Sequence, residues 1–550
     1  KREVNKMGII MAVLLGVLSL FLLWTLWGRM AHALQMLQQC HYMNDRFTTW
    51  IAGHRLVALP VPLSVLVIAY WVLVVVSFLF PMPGSILTIG TVVIGVLGLG
   101  IIKISSAVSK ESKKPLKITA RVWRIIATGS ILMLLIAGLG SFFLGANGLM
   151  LLSQIAGWLL TFNLFAYVVM LLANEINKPM ENSIRLGFIN DARRIVKESP
   201  SLDVIGVTGS YGKTSTKHAL NAILSEQFNT LMTPESYNTP MGITITIRNY
   251  LKPIHSKFIA EMGAYKVGEI NELCEIAYPK YGVLTSVGPQ HLETFKTIDN
   301  VKQTKFELIE YLPEDGIGFI NIDDENIRDY YENKFSGKCT VYTYGIEREA
   351  DYRAGDIVVS EKGTTFNVTF RDGSVHQFQT KLLGRHNIYN TVASIALGNE
   401  LGIPVEKMKV AVRKMKPVTH RLELRRNGNF TIIDDAFNSN PVGSKMALEV
   451  LGQMNGKRIV LTPGMVDLGT AQYELNKAFG TYMKDTCDHV ILVGKKQTEP
   501  IQEGLKEVGF PEEHVTVAEN LTEAFKVMYE VVEPGAFVLI ENDLPELFAE

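Results

Sequence analysis

Residues 204–216 read Val204-Ile205-Gly206-Val207-Thr208-Gly209-Ser210-Tyr211-Gly212-Lys213-Thr214-Ser215-Thr216. An apolar run enters a glycine-rich turn and leaves it in a helical pattern. Such a turn directs backbone N–H groups at a phosphate chain, so Thr208, Gly209, Ser210, Tyr211 and Gly212 would cradle the phosphates. Lys213 adds a point charge, and the hydroxyls of Thr214 and Ser215 open the helix, with Thr214 suited to Mg²⁺. The stretch reads as a nucleoside-triphosphate site with a place for Mg²⁺. Val207 stands where the usual pattern has a glycine, and a plain strand-turn-helix connection that needs only small residues is the competing account.

Working outward, 550 residues suffice for three or four domains. Formal net charge is zero, which leaves no basic footprint for nucleic acid. Cys40, Cys274, Cys339 and Cys487 lie far apart, which argues against a zinc cluster or disulfide framework and fits a reducing compartment. Mean hydropathy is positive, and the apolar excess lies in the first third.

Runs near Gly8–Trp27, Val57–Phe80, Ser85–Val108, Val122–Gly145 and Asn147–Ala173 are each long enough for a membrane span, which takes about 20 apolar residues. A cleaved leader would explain the first run at most, and no small-residue cleavage site follows it. The segment Ser109–Arg121 carries Lys110, Lys113, Lys114, Lys117 and Arg121, which places it in the cytoplasm by the positive-inside rule. Five crossings then put everything after about residue 175 in the cytoplasm of a cell whose inner membrane holds the first third. Lys1, Arg2 and Lys6 would lie outside, against the rule. Charged residues are scarce in the spans, with Lys103 and Arg124 close to helix ends, so anchoring or acceptor docking is expected and not transport. Glycines 90, 95, 98 and 100 suggest close helix packing. The stretch Gly28–Arg55 reads either as an amphipathic helix on the inner leaflet or as a connecting helix.

From Asn182 short β runs alternate with helical patterns, the mark of a largely parallel sheet between helices. The stretch Asp191–Glu198 reads as a helix leading into the phosphate-loop strand. Two more buried strands, in Lys257-Phe-Ile-Ala-Glu261-Met-Gly-Ala264 and Tyr281-Gly-Val-Leu-Thr-Ser-Val-Gly-Pro-Gln-His291-Leu292, end in a polar residue plus glycine, which sets Glu261 and His291 at the carboxyl edge where ligands bind. Singly each has a bland account, a helix-start carboxylate or a satisfied strand-end histidine. Beside Lys213 they suit Mg²⁺ on the β and γ phosphates.

Five runs in order resemble the Mur ligase family over about residues 200–545, nearest its D-alanyl-D-alanine-adding members. They are Thr208-Gly209-x-x-Gly212-Lys213-Thr214; Glu261-Met-Gly-Ala264 with Gly268-Glu-Ile270; His291-Leu-x-x-Phe295 with Lys305-x-Glu307; Gly384-Arg-His-Asn-Ile-Tyr-Asn390; and Ile433-Asp-Asp-Ala-Phe-Asn-Ser-Asn-Pro441. The resemblance implies that Thr214, Glu261 and His291 hold Mg²⁺ and that Lys305 becomes a carbamate ligand, though by spacing alone Lys305 is one solvated lysine among Lys296 and Lys302. It further implies that Asn387 and Asn390 read adenine, with His386 nearby, and that Asp435 contacts ribose. The loop Glu235–Gly242, with Asn238 and Thr239, would face the acceptor, as would Asn438 and Asn440. Arg421 would reach a terminal phosphate when the last domain closes. Tyr265 and Lys266 stand where Asn-His often follows, which leaves substrate contacts there open.

The expected architecture is multi-domain: a transmembrane helical bundle (1–181), an ATP-binding α/β P-loop central domain (182–415) and a C-terminal Rossmann-like α/β domain (416–550). Soluble members begin with a domain that binds a UDP sugar, but only about thirty residues separate Ala173 from Val204, short of the roughly 50 a domain needs. The resemblance implies an ATP-dependent ligase that activates a carboxylate acceptor as an acyl phosphate for attack by an amino-acid or peptide amine in envelope-precursor synthesis. The acceptor is D-Ala-D-Ala-adding-like, or else lipid-linked or polymeric as with polyglutamate. A third possibility from another class is an ATP-driven transporter or sensor.

Overall fold

The computed structural model describes residues 2–80, 83–107, 115–145, 148–290, 292–360, 363–436, 440–466 and 468–542. The chain separates into two compact units, Lys1–Arg185 and Leu186–Glu550.

The first unit holds α1 (Arg2–Gln39), α2 (Asn44–Gly53), α3 (Arg55–Ala58), α4 (Val61–Leu79), α5 (Gly84–Ala107), α6 (Ala120–Phe143) and the start of α7 (Gly148–Lys197). Five stretches among the described residues are long and apolar enough to cross a membrane: Lys6–Gln39, Arg55–Leu79, Gly84–Ala107, Ala120–Phe143 and Gly148–Lys197. Large apolar side chains such as Trp24, Leu134 and Phe142 point outward, as they do where lipid replaces water. Gly90, Gly95 and Gly98 receive Leu73, Leu18 and Leu160 from neighbouring helices, whereas Gly100 meets nothing within 4 Å.

Two expectations need correction here. Gly28 to Gln39 continues α1, with two short helices after it, so Arg29 lies inside a span-length helix and not in a connecting loop. And α7 does not stop near Ala173 to restart at Asp191; it runs through Pro179. A proline inside a helix removes one N–H and costs about 3 kcal/mol. The turns around it are held from α6: Arg124 Nε and Nη2 donate to Glu181 at 2.6 and 2.9 Å, and Thr128 Oγ1 donates to Asn177 at 2.9 Å.

The second unit is built on two sheets. The first takes β1 (Asp203–Thr208), β2 (Thr230–Met232), β3 (Lys257–Glu261), β4 (Tyr281–Leu284), β5 (Ile317–Asn321), β6 (Thr340–Gly345), β7 (Tyr352–Ser360), β8 (Gly363–Thr369) and β9 (Val375–Thr380) in the order β2-β3-β1-β4-β5-β6-β7-β8-β9. It is parallel as far as β7, then antiparallel. The helices are α8 (Lys213–Leu224), α9 (Pro240–Tyr250), α10 (Glu269–Ala277), α11 (Leu292–Phe295), α12 (Ile298–Tyr311), α13 (Glu325–Asn333), α14 (Arg385–Glu400) and α15 (Val405–Lys414). One core joins the sheet to α8, α14 and α15; the other joins it to α9, α10, α12 and α13. Sequence reasoning missed the antiparallel edge β7 to β9.

Three glycines in register, Gly206, Gly282 and Gly318, run across β1, β4 and β5. A Cβ on any of them would meet Leu308 or Ile309 of α12 at 2.5 to 3.1 Å. Their absence of side chains lets α12 lie close on the sheet, which sets the depth of Lys305.

The second sheet has the order β10-β11-β15-β12-β13-β14, from β10 (Glu423–Asn427), β11 (Phe430–Asp435), β12 (Arg458–Thr462), β13 (His489–Val493), β14 (Val515–Ala518) and β15 (Phe537–Glu541). β10 pairs antiparallel with β11 at one edge, and β14 pairs parallel with β13 at the other. Helices α16 (Pro441–Gly452), α17 (Gln472–Tyr482), α18 (Glu499–Glu507) and α19 (Leu521–Val531) complete the layers.

Candidate functional site

β1 lies between β3 and β4, with Val207 opposite Glu261 and Thr208 opposite Leu284. The turn after β1, the end of β3 and the end of β4 therefore meet at one carboxyl edge. Gly209 has φ 150° and Gly212 has φ 81°. A Cβ on Gly209 would lie 2.0 Å from Thr285 Oγ1, so no other residue fits that close approach.

The loop is tied to the end of β4: Ser210 N donates to Ser286 O at 2.7 Å, and Tyr211 N to Ser286 Oγ at 3.0 Å. This corrects the expectation that both amides face phosphate. Tyr211 stands against Gly288, and its hydroxyl is buried with no hydrogen-bond partner among the described residues. The first helical bond of α8 runs from Thr216 N to Gly212 O at 2.9 Å. The amides of Lys213, Thr214 and Ser215 therefore precede the ladder, where a helix accepts anions. Lys213 Nζ curls back to donate to Gly209 O at 2.6 Å and Ser210 O at 2.9 Å. Burial brings its pKa down to about 8, with Glu261 opposing and the Arg421 charge adding to the fall.

Glu261 is 1% exposed. Its Oε1 accepts from Thr214 Oγ1 at 3.2 Å and from Asn238 Nδ2 at 3.1 Å. Its Oε2 lies 2.9 Å from Lys217 Nζ, an ion pair out of hydrogen-bond alignment. Lys217 is fully buried, and Nζ instead donates to Glu235 O at 2.6 Å, where Glu235 is held at φ 39°. Lys217 escaped sequence reasoning, although it lies one turn beyond Lys213 on the same helix face.

Lys305 is 3% exposed and makes no hydrogen bond or ion pair among the described residues. Burial pulls its amine well below the usual lysine range, Lys213 adds to the fall, and Glu307 and Glu269 pull the other way. Its neighbours now separate: Lys302 pairs with Asp329 at 2.7 Å, and Lys296 is exposed. Glu307, which sequence reading quoted without a role, accepts from Gly268 N at 2.7 Å and Asn271 N at 2.9 Å. It caps α10 and fixes α12 against the segment that follows Glu261.

From the second sheet comes Arg421, half-buried between His420 at φ 60° and Leu422 at φ 45°. Two consecutive-but-one residues in the left-handed region store strain at this junction. Burial lowers the Arg421 pKa against the pull of Asp435, Glu261 and Glu541, so its charge reaches the phosphate-loop carboxylate. Asp435, expected at the ribose, also ties the junction together. Its Oδ1 accepts from Leu422 N at 3.1 Å, and it pairs across the strands with Glu541, missed in the sequence, with burial raising its pKa.

The adenine pair is likewise engaged. Asn387 Nδ2 donates to Leu383 O at 2.8 Å, and Asn390 Oδ1 accepts from Thr216 Oγ1 at 3.0 Å, which seats α8 on α14. Asn390 Nδ2 is buried with no hydrogen-bond partner among the described residues. His386 is half-buried, its Nδ1 likewise without a partner among the described residues, and burial and then Arg421 lower its pKa to about 4. Thr239 and Asn440 cap α9 and α16 by accepting from Gly242 N and Gly443 N. His291 and Asn438 lie outside the described residues.

This arrangement agrees with known families. The Mur ligase middle domain matches residues 207–398, and the Mur ligase glutamate ligase domain matches 420–541. Together the matches take in more than half of the chain, which belongs to the Mur ligase family. It is similar to the UDP-N-acetylmuramoyl-tripeptide–D-alanyl-D-alanine ligase of Bacillus subtilis strain 168, 33% identical over 297 residues, or 53% of this chain and 63% of that one. The chain thus spans less than two thirds of that relative's length. The Escherichia coli K12 enzyme of the same name is 29% identical over 330 residues, 58% of this chain and 72% of that one. Among solved structures, the MurF ligase from Thermotoga maritima in complex with ADP superposes with a TM-score of 0.59 at 25% identity, covering 65% of this chain and 80% of that one.

Proposed function

We propose that the chain is a membrane-anchored, ATP-dependent ligase that joins a carboxylate acceptor to an amino-acid or peptide amine through an acyl phosphate. The observation that carries this reading is the convergence of Lys213, Thr214, Glu261, Lys305 and Arg421 on one sheet edge. The domain division 1–181, 182–415 and 416–550 is part of the proposal, as is an inner-membrane location with the α/β unit in the cytoplasm.

The donor set fits Mg²⁺. That ion binds through one or two carboxylates plus phosphate oxygens and waters, and Glu261 and Thr214 offer oxygens side by side. Among the described residues no three His, Cys, Asp or Glu side chains gather into a separate cage. Lys305 suits conversion to a carbamate because a buried amine held well below its usual range has a neutral form to attack CO₂. His291 would complete the ligands. Bound there, Mg²⁺ would neutralise charge on the phosphates.

Lys213 and the first amides of α8 hold the β and γ phosphates for in-line attack by the acceptor carboxylate. Arg421 meets the growing charge from the opposite domain, and its approach excludes water from the acyl phosphate. The amine then displaces phosphate. The test is ADP release by the full chain in nanodiscs: it needs carboxylate and amine together and is lost in Lys213→Ala. Rapid release with neither substrate refutes the reading.

The relatives' names point to a D-alanyl-D-alanine-adding reaction. A second reading, a lipid-linked or polymeric acceptor, is favoured by the span-length helices before residue 186, and mass spectrometry of the product separates the two.

A further inference from the structure

Arg29 is 3% exposed in the C-terminal third of a span-length helix, Lys6–Gln39. Its Nε donates to Asn163 O at 2.6 Å, and its Nη2 donates to Val57 O at 3.1 Å and Ala58 O at 2.9 Å. The last two are carbonyls that the end of the short α3 leaves unpaired. These acceptors call for N–H donors and not for charge; a neutral amide would answer two of them. The charge itself meets no carboxylate among the described residues, and Nη1 makes no hydrogen bond there. A cation buried in a span without a counter-ion is costly and marks a functional position.

Its surroundings are aromatic and basic. The guanidinium lies 5.2 Å from the ring centre of Tyr167, whose hydroxyl is 2.8 Å from His32 Nδ1. Trp50 stacks between Tyr167 at 5.8 Å and His54 at 4.6 Å. Exposure rises from Arg29 and Tyr167, both buried, through half-buried His32 and Trp50 to exposed His54. The cluster thus leads from a buried guanidinium to the surface through aromatic and imidazole rings. The Nη1 N–H groups, which make no hydrogen bond among the described residues, can meet phosphate oxygens, and Tyr and Trp suit the boundary between apolar tail and polar head.

We propose that Arg29, with His32, Trp50, His54 and Tyr167, forms a binding site for the phosphate headgroup of a lipid. The proposal rests on the reading of a lipid-linked acceptor and gives that acceptor's anionic end a place in the first unit. The test is equilibrium binding of tritiated farnesyl diphosphate to the full chain in phosphatidylcholine nanodiscs, with no nucleotide present. Binding at least about tenfold tighter than that of farnesol, and weakened about tenfold or more by Arg29→Gln, is expected. His54→Glu, which adds a carboxylate at the exposed end, weakens binding severalfold and decides the matter if Arg29→Gln fails to assemble. Equal binding of farnesol, wild-type binding by His54→Glu or by assembled Arg29→Gln, or displacement by equimolar inorganic pyrophosphate overturns the proposal. Because nucleotide is absent, such a failure leaves the ligase reading standing, whereas failure of the ADP assay removes that reading without touching this one.

Discussion

Replacing Lys217 by Met tests whether Glu261 is held ready for a cation. Met keeps the apolar stem and removes the ammonium 2.9 Å from Glu261 Oε2. The carboxylate, 1% exposed, is left with two neutral donors, Thr214 Oγ1 and Asn238 Nδ2. Deleting one partner of a buried pair costs about 3–5 kcal/mol. The two surviving hydrogen bonds favour the lower end, and loss of the donor to Glu235 O adds about 1 kcal/mol. The expected total is about 4 kcal/mol. All six tryptophans precede residue 160, so their fluorescence reports the other unit; hydrogen exchange on β1 and β3 reads this one. Amides there that exchange through global opening should speed up by about 10²–10³-fold in Lys217→Met. Mg²⁺ with ADP supplies the missing charge at Glu261, so it should protect the variant more than the wild type, and ADP alone should not. Equal exchange without Mg²⁺, or equal gains with it, refutes the account.

Two further outcomes follow from the titrating groups. Lys305 amine plus CO₂ gives a carbamate and releases a proton, so ¹³C-bicarbonate at neutral pH should give a carbamate carbon signal that Lys305→Arg lacks, with turnover down about 10²-fold; a wild-type spectrum without that signal removes Lys305 from the metal ligands. For His386 the folded pKa of about 4 lies below the unfolded 6.5, so stability is full above pH 6.5 and falls as pH drops toward 4, by at most about 3 kcal/mol; His386→Phe should flatten that part of a denaturation-versus-pH curve, and an unchanged slope refutes the assignment.

What was legible in the sequence followed from local chemistry. A buried strand that ends in glycines fixed β1 and β3 together with Glu261, because hydrophobic period and turn residues act over a few positions. Five apolar runs of span length needed only composition. What stayed hidden depends on distance in sequence. Lys217 looked like any helix lysine until β3, 40 residues on, brought Glu261 to it. The bond from Leu422 N to Asp435 and the register that sets Asp435 opposite Glu541 follow from strand pairing, which no local signal shows. Spacing could not separate Lys296, Lys302 and Lys305, because the difference is how closely α12 lies on Gly206, Gly282 and Gly318. Nor does any local signal carry α7 through Pro179, where Glu181 and Asn177 are held from α6 on both sides of it.

Cations crowd the sheet edge, and that crowding bears on function. Lys213 donates to two loop carbonyls, Lys217 faces Glu261, Lys305 makes no ion pair among the described residues, and Arg421 approaches from the side of the other sheet. Glu261 thus faces Lys213, Lys217 and Arg421, while Asp435 and Glu541 also draw on Arg421 and Glu307 and Glu269 draw on Lys305. Burial makes this costly and pushes Lys213 and Lys305 toward their neutral forms. A polyanion such as the triphosphate of ATP would relieve that cost by restoring the lysine charge, and CO₂ addition at Lys305 would relieve it by inverting the sign. The two events act in the same direction on Lys213: phosphate binding and a carbamate at Lys305 would each raise its pKa from about 8. Nucleotide binding should therefore take up a proton near pH 8, and carbamate formation beforehand should reduce that uptake, since the neighbouring anion has already returned the proton to Lys213.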